Sequence, residues 1–235
     1  MNGGDSVPSF DEAALSGFYE RLSSEDGMAV FEFRTGLADL FRRHRPASEL
    51  DDYRLGRRTW KKLRDEVAPI SQFLQCRRLK AGRVRFTLDS TAPDCWYWLD
   101  HPNDKTGIEV TTALGRSRYH SSKELIDKGV GRGFLGLQDD APQEAFDNAM
   151  ARGRVMISSD GALVATKEGI LRCIRRKNNI RYKGFILLIH AELGILPKPR
   201  WNTIVGDLKS AAATLPFAEV HVMSSEFGPW SFQIK

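Results

Sequence analysis

Cysteine is scarce in this chain. Cys76, Cys95 and Cys173 are odd in number and widely spaced, and no Cys-x-x-Cys pair exists. That excludes a disulfide framework and a structural zinc site of ordinary spacing. The five histidines are scattered, with no His-x-x-x-His spacing. Long apolar runs are missing too: the longest, Phe185 to Ile189, falls far short of a bilayer span. The opening MNGGDSVPSF has no basic or apolar signal region, so no secretory leader is predicted. These absences point to a reducing, cytoplasmic setting without a membrane partner. Neither a Gly-x-Ser-x-Gly elbow nor a P-loop ending in Gly-Lys-Ser/Thr occurs, which removes the signatures of a serine hydrolase and a P-loop nucleotide binder.

What is present is ordinary for a globular protein. The chain has 235 residues, 41% of them hydrophobic and 28% charged. This length suits one well-buried core, or one core with a small extension. The net charge of +5 is modest, so its distribution carries more information than its total.

Residues 1–9 read as a loose tail. Residues 11–22 and part of 28–44 suit two short helices, and Pro46 closes the segment. We therefore expect residues 1–48 to be a helical N-terminal extension and residues 49–235 to be the main domain. Leu55, Trp60, Leu63 and Val67 stand near helical spacing, and Pro69 is expected to break or kink that helix. Three strands follow, at Arg83–Leu88, Cys95–Leu99 and Ile108–Leu114, and their sequence predicts an antiparallel meander. Residues 115–168 read as an insertion. It holds a helix over 142–151, a glycine-rich flexible loop GVGRGFLG, and a hairpin around Asp160-Gly161. Residues 168–182 form an amphipathic pattern, FILLI a fully buried strand, 201–215 a helix and 220–223 a last strand. The order predicts an α/β protein with a mixed sheet flanked by helices.

One stretch asks for a chemical explanation. In Gly-Ile-Glu-Val-Thr-Thr, Glu109 stands between Ile108 and Val110. A charge inside a strand core costs several kcal/mol unless it is compensated. Alternation puts Ile108 and Val110 on one face, with Glu109 and Thr111 on the other. Asp94 heads the preceding strand. A symmetric hairpin would leave Asp94 roughly 13 Å from Glu109, so joint action by the two needs an asymmetric loop or a bulge. Two carboxylates with a backbone carbonyl such as that of Val110 make an all-oxygen site, suited to Mg²⁺ or Mn²⁺. A plainer reading fits the same residues: Asp94 caps a turn, and Glu109 pairs with an arginine.

Pro93-Asp94 followed by Glu109-Val110-Thr111 resembles the motif of the PD-(D/E)XK, or restriction-endonuclease-like, nuclease superfamily. Threonine stands where lysine is usual, and Gly-Ile-Glu-Val-Thr is similar to a lysine-less variant. Downstream, Ile174-Arg175-Arg176-Lys177, Tyr182 and the FILLI strand resemble that variant's helix, tyrosine and buried strand. The resemblance covers roughly residues 60–223 and is interrupted by 115–168. It implies an αβββαβ core, a metal-dependent endonuclease activity with DNA as the favoured substrate, and Asp94 and Glu109 as metal ligands. It also implies transfer of the missing lysine's role to Lys177, with Lys105 and Lys123 as weaker candidates. A water-mediated acid on the first core helix is implied as Glu66, with Glu49 second. Family members often dimerise and act in defence or DNA processing. The missing lysine keeps a second reading open, a non-catalytic nucleic-acid-binding or assembly subunit that could dock through residues 1–48.

Basic residues fall in three runs. Arg172, Arg175, Arg176, Lys177, Arg181 and Lys183 form one, Arg54 to Arg64 another, and Arg77 to Arg85 the third. Together they suggest a groove tracking a phosphate backbone, with Arg172, Arg175, Arg176, Arg181 and Lys183 as the candidate nucleic-acid contacts. Trp96, Tyr97 and Trp98 are candidates for base stacking, or for core packing.

Overall fold

The computed structural model describes residues 12–43, 46–224 and 230–235. The tail expected over 1–9 lies outside them. The chain divides into two compact units, residues 1–107 and 108–235. Both combine helices with strands, which places the protein in the α/β class.

In the first unit, helices α1 (Glu12–Ser23) and α2 (Val30–Arg42) bury Leu15, Phe18 and Leu22 together with Val30, Phe33, Leu37 and Leu40. The buried positions recur every three to four residues, the spacing of one helical face. Strand β1 (Met28–Ala29) pairs antiparallel with β2 (Arg83–Phe86), which pairs antiparallel with β3 (Cys95–Trp98). The rings of Phe33 and Phe86 meet at 5.3 Å. The helices of residues 12–43 thus pack within this unit, and the chain divides at 107/108. At Gly27 (φ +65°), a β-carbon would lie 2.4 Å from the Trp98 ring and would meet left-handed backbone strain as well.

Pro69 does not break its helix. After α3 (Ala47–Leu55), the segment α4 (Trp60–Lys62) opens into a π-turn over Leu63–Val67 and continues as α5 (Ala68–Cys76). In the widened turn the Ala68 N–H donates to the Leu63 carbonyl, five residues back. The extra residue absorbs the donor that proline lacks, so the helix runs on.

In the second unit, strands β4 (Thr106–Thr112), β5 (Ile186–His190) and β6 (Glu219–Ser224) run parallel, and β7 (Trp230–Gln233) is antiparallel to β6. This is a mixed sheet. The register sets Glu109 opposite Leu187 and Thr111 opposite Ile189. Helices α6 (Gly115–Lys128) and α7 (Gln143–Ala151) occupy the region read as an insertion. Helix α8 (Ser159–Arg176) begins where a hairpin was expected. Ser158 caps it by accepting from the Gly161 N–H at 3.1 Å, and the buried row Ala162, Thr166, Ile170, Cys173, Ile174 has helical spacing. That long stripe outweighs the turn signal of Asp160-Gly161. Helix α9 (Lys198–Ala212) contributes Trp201, Ile204 and Leu208 to a core shared with Ile170, Ile174, Leu187, Ile189, Val220 and Val222.

The glycine-rich loop, read as flexible, is pinned. Arg132 donates from its backbone N–H and Nε to Glu124 Oε2, each at 3.0 Å, and from Nη2 to Glu124 Oε1 at 3.1 Å. Its Nη1 reaches the Ala149 carbonyl at the end of α7 at 2.6 Å. The Glu124 and Arg132 side chains are 2% and 11% exposed. The Arg132 hydrogen bonds outweigh burial and hold the Glu124 carboxyl down at about 2.

The pair therefore stabilises the fold fully above the unfolded carboxylate value of about 4.3. That contribution is lost as the pH falls through about 2. Glu124→Ala is expected to cost roughly 3–5 kcal/mol near neutral pH, because it strands a buried guanidinium. In urea melts the gap to wild type should narrow below about pH 4; an equal gap at all pH values would contradict the assignment.

Candidate active site

Glu109 sits mid-strand on β4 at 5% exposure, with Thr111 at 7% on the same face and Ile108 and Val110 buried opposite. Helix α8 covers the Glu109 face. Gly169 allows the approach: a β-carbon there would lie 3.0 Å from the Leu114 side chain just beyond β4. Three side chains from the last turn of α8 and its cap then reach the strand. Cys173 Sγ lies 3.8 Å from Thr111 Oγ1 and 3.5 Å from the Thr112 carbonyl. Arg176 Nη2 donates to Thr111 Oγ1 at 2.7 Å. Lys177 Nζ donates to Glu109 Oε1 at 2.6 Å.

Lys177 is thus the counter-charge of Glu109, where the plainer sequence reading expected an arginine. The pair is largely desolvated, with side chains 17% and 7% exposed. Its lysine is braced from behind. The Tyr182 hydroxyl lies 3.4 Å from Nζ, and the Tyr182 ring, itself 2% exposed, stacks on Phe217 at 5.1 Å. Arg181 lies 4.6 Å over the same ring and donates to its hydroxyl. Burial works against the Lys177 ammonium. The Glu109 hydrogen bond and charge, aided by Tyr182, outweigh it and raise the pKa above the ordinary lysine value.

One atom of this cluster has no partner. Glu109 Oε2 is buried and accepts no hydrogen bond among the described residues. An orphaned carboxylate oxygen is costly unless another group binds it. It is the type of ligand a hard cation uses, and Mg²⁺ needs only one or two carboxylates because it keeps several waters. Among the described residues no three His, Cys, Asp or Glu side chains form a metal-sized group.

The other candidates are distributed as follows. Asp94 belongs to the first unit, at the head of β3, where it is buried at 9% exposure and its carbonyl accepts from the Thr87 N–H at 3.2 Å. Glu66 also lies in the first unit, in the π-turn. Lys62 bonds its Oε1 at 2.8 Å, its Oε2 is buried without a partner among the described residues, and burial raises its pKa. Lys105 lies 4.5 Å over the Trp96 ring, and Lys123 pairs with Asp127 at 2.7 Å. Neither takes the Lys177 position. Trp98 is buried, while Trp96 and Tyr97 are half-buried.

The basic run of α8 is less available than its composition implied. Arg172 pairs with Asp140 and with Glu168 (3.3 Å), and Arg175 pairs with Glu168 (2.6 Å). Arg176 and Arg181 are engaged with Thr111 and Tyr182. Lys183 is exposed. Most of the Arg54 to Arg64 run is matched in the same way: Arg54 with Asp51, Arg57 with Asp52, Lys61 and Arg64 with Asp65, and Lys62 with Glu66.

The sequence reading missed the Arg176–Thr111 contact. Its signal was available: Cys173, Arg176 and Lys177 are spaced three and four apart, which puts them on one helix face. A cleft of about 440 Å³ opens beside them, between residues 138–140 and the Gly169–Arg176 face of α8. Comparison of the chain with protein-family models, curated proteins and solved structures gives no match. No helix among the described residues is long and apolar enough to cross a membrane.

The Lys177 pKa gives a direct test. Its contribution to stability is complete below the unfolded lysine value of about 10.4 and is lost as the pH rises through the higher folded value. In Glu109→Gln only burial remains dominant, so the amine should titrate below its ordinary value. Near pH 9, Lys177 acylation followed by mass spectrometry is expected to be slow in wild type and clearly faster in the variant. Equal rates in two folded proteins would disprove the coupling.

Proposed function

We propose that this chain is a metal-dependent nuclease of the restriction-endonuclease-like class, hydrolysing phosphodiester bonds of nucleic acid. The observation that carries the proposal is the buried Glu109–Lys177 pair with its unpartnered Glu109 Oε2. A strand carboxylate, a lysine at the end of α8 and a carboxylate oxygen without a partner among the described residues support the PD-(D/E)XK reading. The strands β2, β3 and β4, followed after α6 and α7 by α8, β5, α9 and β6, are compatible with an αβββαβ core. DNA is favoured over RNA by that resemblance alone, as are a defence or DNA-processing role and a homodimeric or multi-subunit state.

Glu109 Oε2 would hold Mg²⁺ or Mn²⁺. The Val110 carbonyl is assigned as a further ligand, and Asp94 enters as the second carboxylate on the motif alone. A divalent ion at such a site polarises a phosphate oxygen and lowers the pKa of an attacking water. The chain's own residues do the rest. Lys177 places a fixed positive charge beside the carboxylate, where it can steady negative charge developing on the phosphoryl oxygens. Thr111, with no charge of its own, orients the Arg176 guanidinium through its hydroxyl. Glu66 is assigned the supporting, water-mediated role; its raised pKa and buried free oxygen are compatible with it.

A second reading is favoured by one feature. Threonine occupies the motif's lysine position, and Lys177 is fully engaged by Glu109. That balance suits a module which binds nucleic acid, or assembles with a larger complex, without cutting.

Supercoiled plasmid with Mg²⁺ or Mn²⁺ separates the two. Hydrolysis by wild type is expected, with a loss of at least a hundredfold in Glu109→Ala and Asp94→Asn and of roughly 10²–10³-fold in Lys177→Ala. Chelation should abolish the activity. Binding without cleavage of any DNA or RNA form by folded wild type would establish the non-catalytic module instead.

A further inference from the structure

The first unit carries a surface that the hydrolytic reading does not use. Two clefts, each of about 410 Å³, lie against the outer face of α2 and share Arg34 and Ala38. They therefore form a continuous groove with an arginine at its centre. The groove exists because α2 is two-faced: Val30, Phe33, Leu37 and Leu40 fill the core, while Phe31, Arg34, Thr35, Ala38 and Arg42 recur at spacings of three and four on the outside.

The first cleft is bounded by Phe31, Arg34, Arg42 and Lys80. The Val30 N–H donates to the Gly82 carbonyl at 3.0 Å, which ties the turn that carries Lys80 to the start of α2. Phe31 is 73% exposed, so its ring face is open to a ligand. Arg42 pairs with Asp39 at 3.1 Å, but both side chains are more than half exposed, so that bond is weak and exchangeable. The second cleft runs on past Phe41 and Tyr53 to Ser71, Gln72 and Gln75. The Phe41 and Tyr53 rings meet edge to face at 5.5 Å. None of the described residues lining either cleft is acidic. The groove thus offers a ring at each end, amides along one side and positive charge in the middle.

We propose that this groove binds single-stranded nucleic acid, with Arg34 on a backbone phosphate, Phe31 stacked on one base, and a base about two nucleotides further on entering the cleft of Phe41, Tyr53 and Gln75. Rings that accept bases and a cation that tracks the backbone are the general means of holding a single strand without reading its sequence. A duplex keeps its bases stacked inside and offers Phe31 nothing to stack on. An acidic peptide satisfies the cations but leaves the exposed ring unused. The proposal extends the nucleic-acid partner of the nuclease reading and does not depend on Glu109 or on a metal.

The test is binding of a fluorescein-labelled oligo-dT of twelve nucleotides to the full chain in EDTA, read by anisotropy, so that cleavage plays no part. Wild type should bind the single strand at least tenfold more tightly than a blunt duplex of equal length. Phe31→Ala should weaken binding about tenfold and leave the melting temperature unchanged, since the ring is exposed. Arg34→Gln should lower the slope of log K against log salt by about 0.7. An abasic strand should bind like the Phe31→Ala variant does. Equal affinity for single strand and duplex, an unaffected Phe31→Ala with Arg34→Gln double variant, or displacement by poly-glutamate as effective as by unlabelled oligo-dT would each overturn the proposal. A protein that binds in this way yet never cuts would uphold the groove and remove the nuclease reading.

Discussion

A carboxylate at 5% exposure between two buried aliphatic side chains has to be compensated where it stands. In this protein the compensation comes from Lys177, and much of the second unit follows from bringing that ammonium to Glu109. Helix α8 must cross β4 at close range, which Gly169 permits. It must stop at Arg176, so that the next side chain turns back toward the strand. The chain must then place Tyr182 behind the amine, and Phe217 holds the tyrosine ring flat. A shift of α8 by one residue would bring the wrong side chain to Glu109 and leave a buried carboxylate unpaired.

Charge elsewhere in the protein is arranged for mutual cancellation. Glu168 alone meets both Arg172 and Arg175, and Asp65 meets Lys61 and Arg64. Such pairs contribute little stability when exposed. They do reduce the field that a basic run would otherwise project. A count of lysines and arginines along the chain therefore overstates the positive surface. At Arg34 and Lys80 the described lining residues of the α2 groove include no carboxylate. Recognition of a polyanion is then expected to draw on a few well-placed cations and on aromatic contact, more than on a broad basic face.

The parts of the fold written in short-range periodicity were legible beforehand. The Glu109/Thr111 face follows from strand alternation, the FILLI strand from a continuous apolar run and the Cys95–Trp98 strand from its aromatic residues, and the helices at 143–151 and 198–212 were also legible. The misread parts depend on competition between signals. Asp160-Gly161 has the composition of a turn, but Ser158 turns the same residues into a helix start and the stripe to Ile174 extends it. Pro69 is a breaker in isolation; a π-turn one residue earlier makes it harmless. GVGRGFLG has the composition of a mobile loop, yet one residue inside it, Arg132, has its partner on a helix already passed. The β7 strand escaped notice because WSFQ is short and lies at the very end of the chain. In the candidate site, strand alternation put Glu109 and Thr111 on one face, and the family resemblance pointed to Lys177. The Arg176–Thr111 contact needed the helix phase, which the sequence reading did not work out.

The state of the lysine narrows what the site can do. A catalytic group that takes a proton from water has to be deprotonated for part of the time near neutral pH. Lys177 is pushed the other way, because Glu109 favours its charged form more than burial opposes it. In this arrangement it is held as a cation, and under the proposed hydrolytic reading its use would be electrostatic, the stabilisation of charge that grows on a phosphate. Arg176 brings a second positive group to the same strand. The strand threonine between them carries no charge, but its hydroxyl fixes the guanidinium at 2.7 Å. The end of α8 thus brings two positive groups to β4, each oriented by a partner on that strand. Among the described residues Glu109 Oε2 has no hydrogen-bond partner, so the carboxylate keeps one acceptor that Lys177 does not occupy.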